Sequence, residues 1–423
     1  MAPLRTPVER PTTGAARPVR VLFINDTARN GGPGRSLASI LEFLDPAVVR
    51  RVVLLPREGE VAELLRSRGV ADELIFEPLL VENLVEPRGR AIERADFDAP
   101  APLRAARAAI NAGRALAGLS RLVSRARSGR HDLLYCNGTT ACFAGGFAAG
   151  RTGLPALWHV RYTAVPPILR GLHRRLSSAA AVRRVLCVSH AAAALFPHCS
   201  GKVRVLHNAV NAALFAPGAV APALRAELGL GREAVVFGSH GRVLPRKGYL
   251  EFVEAARLAL ARLPEEERPK LQVAVVGDTP ADMTPDHLAE CRARVAALGL
   301  GGNVRFLGFR SDVRPYLADF DVAVVPSIYP DPLPRSVIES MAFAVPVIAF
   351  DVGGVGEMLT PGTGTLLPAP PSVCTLADAL LDYFRDDGKR RREGAAARAQ
   401  IEAHFDARAH AREVQAEILS AAR

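Results

Sequence analysis

The chain has 423 residues, 49% of them hydrophobic and 23% charged, with a formal net charge of +11. That length predicts two or three domains with sizeable cores, and the balance is ordinary for a globular protein. No apolar run approaches the roughly 18 residues of a transmembrane helix. The six cysteines (Cys136, Cys142, Cys187, Cys199, Cys291, Cys374) form no CxxC pair and no Cys/His metal spacing, so they read as reduced thiols of a cytosolic protein with no metal site.

The charge is uneven. Residues 1–212 carry 30 Lys and Arg against 16 Asp and Glu, and no carboxylate side chain lies between Asp132 and Glu227. Such a cationic half suits an anionic substrate or surface, unless the excess is compositional drift toward Ala and Arg. Aromatic residues are only 6% and are not interleaved with the basic ones, so no nucleic-acid partner is expected.

Residues 1–17 are polar and proline-rich without an apolar core, which predicts a disordered tail rather than a signal peptide. A first alternating unit occupies 18–212. Its opening strand, Pro18–Ile24, leads through a polar loop with Gly31 and Gly32 into a helix carrying Leu37, Ile40, Leu41 and Leu44 at helical spacing. The glycine pair is not GxGxxG and argues against a dinucleotide site. Strand-like runs follow at 50–56, 131–136, 156–160, 183–189 and 202–208. The stretch Leu103–Arg130 reads as a helix with Arg107, Arg114 and Arg121 every seventh residue, either a solvated face or one lying on an anionic membrane. The basic runs His173–Arg175 and Arg183–Arg184 raise the same question.

Residues 213–233 turn to Ala, Pro and Gly and read as a linker. A second alternating unit covers 234–390, with strands at 234–241, 271–278, 304–309, 321–327 and 346–350 and helices at 248–261 and 286–298. The last stretch, 391–423, is charged and helical. Strand–helix alternation in both halves predicts an α/β fold of two doubly wound, Rossmann-like sheets with a ligand at their strand carboxyl ends.

The segment Ile328–Glu357 is the most informative: a proline-rich loop, a short helix, a buried strand and a glycine turn. Pro332 and Pro334 fix the backbone at the helix start, where a missing N–H costs little. The amides of Arg335, Ser336 and Val337 then face out of the helix N-terminus and suit a phosphate. Glu339, one turn further, suits sugar hydroxyls. The two receptors on one helix fit a nucleotide sugar. Gly241–Arg242 and Lys247–Gly248 follow another buried strand, where the two cations can reach a diphosphate and the glycines permit close approach.

These residues resemble the donor site of glycosyltransferase family 4, the retaining family with the GT-B fold. The family has two glutamates separated by seven residues. Asp331 stands at the first position, Glu339 at the second, and Glu357 closes the GGVGE turn. Pro332 and Pro334 replace residues that are often glycine. The resemblance implies that Arg242 and Lys247 neutralise the departing diphosphate, that Gly31 and Gly32 lie near the donor phosphate, and that His159 sits beside the transferred sugar. Arg161 would meet an anionic acceptor or the donor phosphate. Ser189 and Asn208 also match the family pattern; capping of a helix or turn is the alternative for both and the preferred reading for Asn208, and Asn211 stands where aspartate is common. The final helix is expected to cross back to the first domain.

The implied activity is metal-independent transfer of a sugar, hexosyl in type, from a nucleotide diphosphate to an acceptor hydroxyl in polysaccharide, glycolipid or other glycoconjugate synthesis. The nucleotide sugar is a substrate, and no cofactor is expected. The acceptor is a glycan, a lipid-linked group or another hydroxyl compound, with an anionic character and a peripheral contact at the inner membrane face left open. The rival readings are a nucleotide-sugar epimerase of the same fold and a non-catalytic basic protein that binds membranes or polyanions.

Overall fold

The computed structural model describes residues 17–29, 31–80, 101–280 and 285–423, with the backbone alone for 101–108 and 111–112. The expected tail therefore lies outside the described residues except for Arg17, which donates to both carboxylate oxygens of Asp132 at 2.7 and 2.8 Å. Among the described residues no helix is long and apolar enough to cross a membrane.

Two parallel sheets form the frame. The first contains β1 (Val19–Asn25), β2 (Val49–Leu55), β3 (Glu73–Phe76), β4 (Leu133–Asn137), β5 (Ala156–Val160), β6 (Val182–Cys187) and β7 (Val203–Val205), in the order β3-β2-β1-β4-β5-β6-β7. The second contains β8 (Val235–His240), β9 (Leu271–Val276), β10 (Val304–Gly308), β11 (Val322–Val325), β12 (Val347–Phe350) and β13 (Gly364–Leu367), in the order β10-β9-β8-β11-β12-β13. The central strands are buried along their whole length, as the unbroken apolar runs of a doubly covered parallel sheet require. Each order reverses once, between β1 and β4 and between β8 and β11. Asn25, Asn137 and His240 end three of those four strands, at the switch points where such sheets bind ligands.

In the first unit the helices are α1 (Gly32–Phe43), α2 (Glu60–Ser67), α3 (Ala101–Ser128), α4 (Thr139–Thr152), α5 (Arg170–Ser178) and α6 (His190–Ala193). A cluster with Val21, Leu37, Leu41 and Val61 lies on one face of the sheet, and one with Leu22, Ala148, Trp158 and Phe196 on the other. The segment expected as a linker holds α7 (Leu224–Leu228), whose Leu224 is buried in a core of the second sheet. That sheet carries α8 (Tyr249–Ala261), α9 (His287–Ala297), α10 (Arg314–Leu317), α11 (Arg335–Ala342), α12 (Val373–Arg385) and α13 (Asp387–His404).

The chain then returns. Val210 N–H donates to Phe405 C=O and Ala407 N–H to Val210 C=O, both at 2.9 Å, and α14 (Ala407–Ala422) begins there. Its Val414, Ile418 and Ala421 join the α1 side of the first core. Burial of each larger aliphatic side chain contributes about 1.5–3 kcal/mol, so packing outweighs the half-exposed pair of Arg204 with Glu413.

The basic segments behave differently from a uniform cationic face. His173 is buried among the rings of Phe143, Trp158, Tyr162 and Phe196, and burial pushes its pKa down to about 4. It therefore belongs to the core, not to a basic run. On α3, Arg121 and Arg125 stand 3.6 and 3.0 Å from the fully buried carboxylate of Glu77. Arg114 is exposed, and the side chain of Arg107 lies outside the described residues.

Candidate functional site

The proline-rich loop and the glycine turn close on one another. Gly354 N–H donates to Asp331 C=O at 2.9 Å. Gly353 has φ +64°, and a Cβ there would lie 2.1 Å from Asp331 O, so both conformation and space require glycine. Pro334 caps α11 in an extended conformation. Val337 N–H is bonded to Pro334 C=O at 3.2 Å. The three outward amides expected from sequence are thus reduced to those of Arg335 and Ser336, because the first turn tightens at its proline.

The side chain of Arg335, rather than its amide, organises the site. Its Nε donates to Glu339 Oε1 at 3.0 Å, and its Nη1 donates across the cleft to Ser36 Oγ at 3.2 Å and Ala209 C=O at 3.1 Å. Glu339 is only 1% exposed. His240 Nε2 meets its Oε2 at 3.1 Å, and Arg35 from α1 approaches Oε1 at 3.9 Å. Burial alone would raise the carboxyl pKa; Arg35, Arg335 and His240 together outweigh it and hold Glu339 well below the usual carboxylate range. Glu339 is therefore an anion at every working pH.

Asp331 and Lys247 are brought together in an ion pair. Lys247 ends a single 3-10 turn after β8, and Gly248 follows at φ +74° with a Cβ position 1.9 Å from Pro326 O. No bulkier residue fits between this turn and the end of β11. Arg242 is exposed after Gly241, on the same loop. In the first domain Gly31 caps α1, and a Cβ on Gly32 would meet nothing within 4 Å among the described residues. Space remains at this helix end.

The first-domain wall is a buried polar chain. Arg161 Nε donates to Asn137 Oδ1 at 2.7 Å, its Nη1 donates to Asn208 Oδ1, and Asn208 Nδ2 donates to Leu333 C=O at 3.0 Å. Asn208 therefore joins the domains rather than capping a turn. Burial lowers the pKa of Arg161 to about 10, and it remains a cation. His159 does not open into the cleft. It is fully buried, its Nδ1 meets Tyr135 OH, and its ring stacks 6.2 Å from that of His410 on α14. Burial, then Arg161 and His410, drive its pKa well below the ordinary histidine value, so it is neutral. Its Nε2 has no hydrogen-bond partner among the described residues.

Glu357 also crosses between domains. It accepts from the N–H groups of His190 and Ala191 at 2.8 and 3.1 Å and meets His207 Nε2 at 2.9 Å. Ser189 caps the same short helix through Ala192 N–H at 3.1 Å. Sequence reasoning did not single out Arg35, Ser36, Asn137 or His240. Position gave a signal for two of them: His240 ends the strand before Gly241, and Arg35 lies in the first turn after the glycine pair.

Two family descriptions match the chain: Glycosyltransferase Family 4 over residues 31–214 and Glycosyl transferases group 1 over residues 220–400. The chain belongs to the family-4, group-1 glycosyltransferases. The D-inositol 3-phosphate glycosyltransferase of Kribbella flavida is 35% identical over 214 residues, 49% of this chain and 49% of the relative. The enzyme of that name from Streptomyces avermitilis is 31% identical over 299 residues, 65% of this chain and 62% of the relative. The chain thus spans between about half and three fifths of the length of these relatives. Anabaena HepE, solved in complex with UDP and glucose, superposes with a TM-score of 0.74 over 95% of this chain and 99% of its own, at 23% identity. The expected fold, two Rossmann-like sheets in the GT-B arrangement, is the one observed.

Proposed function

We propose that this protein transfers a glycosyl group, with retention, from a nucleotide-diphosphate sugar to an acceptor hydroxyl. The observation that carries the reading is the ionised, buried Glu339 on α11, held between His240 and Arg335 where the two switch points meet. Its lone pairs suit donor hydroxyls. Arg242 and Lys247, with the Arg335 and Ser336 amides, would meet the diphosphate, so no metal is invoked to neutralise it. Asp331 would accept a sugar hydroxyl once Lys247 turns to phosphate, and the space beside Gly31 and Gly32 would admit the donor phosphate. The bond from the sugar carbon to the diphosphate breaks as the bond to the acceptor oxygen forms on the same face, and a diphosphate oxygen takes the proton. His159 would act beneath the sugar as a neutral buried support, and Arg161 as the cation on the acceptor side.

The acceptor class is a glycan, lipid-linked or other hydroxyl compound in glycoconjugate synthesis. The glycosyltransferase relatives weigh against the epimerase. Six free thiols fit a reducing, cytoplasmic compartment. A thermal-shift screen of nucleoside diphosphates and their sugars tests the reading: one nucleotide should raise the melting temperature, and its sugar should release nucleoside diphosphate when acceptor is added. Silence across the screen, or epimer formation without transfer, would overturn it. Lys247→Ala should weaken nucleoside diphosphate binding by one charge-assisted contact, roughly ten- to hundredfold. Calorimetry reads this directly; an unchanged affinity in both Lys247→Ala and Arg242→Ala would remove the phosphate role from that loop.

A further inference from the structure

The cationic face of the first domain has a specific geometry. Three neighbouring helices, α3, α4 and α5, cover one face of its sheet. None of the three contains an Asp or Glu, whereas the helices on the other face carry Glu42, Glu60, Glu63, Glu413 and Glu417. The asymmetry is sharpest at the turn Pro167–Leu169 and the helix α5 that continues from it. Leu169, His173, Leu176 and Ser177 turn inward to the core. On the opposite side Ile168 is 91% exposed and Leu172 47% exposed, one helical turn apart. Arg170, Arg174 and Arg175 of the same segment are exposed as well. On α3, Ile110 and Leu116 are likewise exposed.

An ordinary solvated helix would place its charges outward and bury its aliphatics. Here aliphatics and arginines share the outward side. That is the pattern of an element lying in the interface of an anionic bilayer, with side chains in the acyl boundary and guanidinium groups at the phosphates. Position adds a second argument. The segment leaves the carboxyl end of β5, and Thr163, five residues before Ile168, donates to Pro330 C=O at 2.8 Å across the cleft. The exposed pair therefore stands at the rim of the cleft, on the acceptor-side domain.

We infer that the Pro167–Ser178 segment is a membrane-docking wedge: Ile168 and Leu172 enter an anionic lipid surface, Arg170, Arg174 and Arg175 hold its phosphates, and the cleft rim is set against the bilayer. The docking relocates the membrane contact from the heptad arginines of α3, two of which face Glu77 or its neighbouring backbone, to α5. It does not depend on the proposed transfer reaction.

The test is co-sedimentation of the full chain with vesicles of phosphatidylcholine alone or mixed with phosphatidylglycerol. Binding should require the anionic lipid and fall as salt rises, because the arginine contribution is screened. The Ile168→Ser/Leu172→Ser variant should lose roughly tenfold or more of its partitioning. Arg170→Gln/Arg174→Gln/Arg175→Gln should lose the preference for anionic lipid. Both change only exposed positions, and their melting temperatures should match the parent. No binding to anionic vesicles at low salt overturns the inference, as does binding unchanged in both variants. A dimer that the Ile168→Ser/Leu172→Ser variant dissociates in gel filtration, with vesicle binding intact, would instead assign this surface to a second copy of the chain.

Discussion

Glu339→Gln should fold and should transfer sugar at least tenfold more slowly, whereas Glu339→Ala should also lose stability. The two variants separate the roles of one carboxylate. In the protein it balances Arg335, whose other acceptors among the described residues are Ser36 Oγ and Ala209 C=O, and it receives His240. Alanine leaves Arg335 buried without its anion, and breaking a buried pair in this way costs about 3–5 kcal/mol. Glutamine keeps the shape and a carbonyl acceptor but lowers the strength of each donor-hydroxyl bond, charge-assisted bonds being worth roughly 1.5–3 kcal/mol. Melting temperatures and initial rates, measured on the same preparations, check both halves. Wild-type turnover in a folded Glu339→Gln protein would reduce Glu339 to a counter-ion for Arg335. The pH dependence has a defined sign: the native pKa is depressed, so the stabilisation is complete above the unfolded value near 4.3 and is lost as the pH falls below it.

What could be read from the sequence was what local pattern controls. The long apolar runs gave most strands, and the prolines before Arg335 gave the start of α11. Two short strands, β3 and β13, escaped because they are edge strands of four residues each with no fully apolar run. The sequence showed a basic run at His173 because it displays composition, while the ring is enclosed by four aromatics from distant positions. The site itself was half legible. Lys247, Asp331 and Glu339 were named, but each was expected to await ligand alone. In the protein Lys247 pairs with Asp331, and Glu339 with Arg335 and His240. Arg335 lies one turn before Glu339 on the same helix, a spacing the sequence did offer, but His240 and Lys247 come from another element, and Arg335 touches Ser36 at a separation of 299 residues, which no spacing rule reaches. Contacts of this kind couple the domains, so on the proposed function entry of a donor would exchange protein partners for ligand partners.

Acidification should destabilise the protein well before its carboxylates titrate. His159, His173 and His410 are all buried in the first domain or against it, and each is held neutral. For His410 burial acts first and Arg161, Arg335 and His207 add to it, bringing its pKa down to about 3. The pKa of His173 falls to about 4 through burial and His198. In the unfolded chain all three titrate near 6.5. Between that value and the depressed native one, the unfolded state binds more protons, so stability must fall as pH falls. By pH 5 the loss reaches roughly 2 kcal/mol each for His173 and His410, with His159 acting in the same direction, against a total stability of about 5–15 kcal/mol. Carboxylates with ordinary unfolded values near 4 contribute little in that window, which isolates the histidines. Urea unfolding at pH 7 and pH 5 measures the loss, and His173→Gln, which cannot take the proton, should remove its own share of roughly 2 kcal/mol from it. A midpoint that stays constant between pH 7 and pH 5 would show that these rings accept protons in the native state. Since His159 and His410 adjoin Arg161, the first-domain wall of the cleft should be the first part to fail.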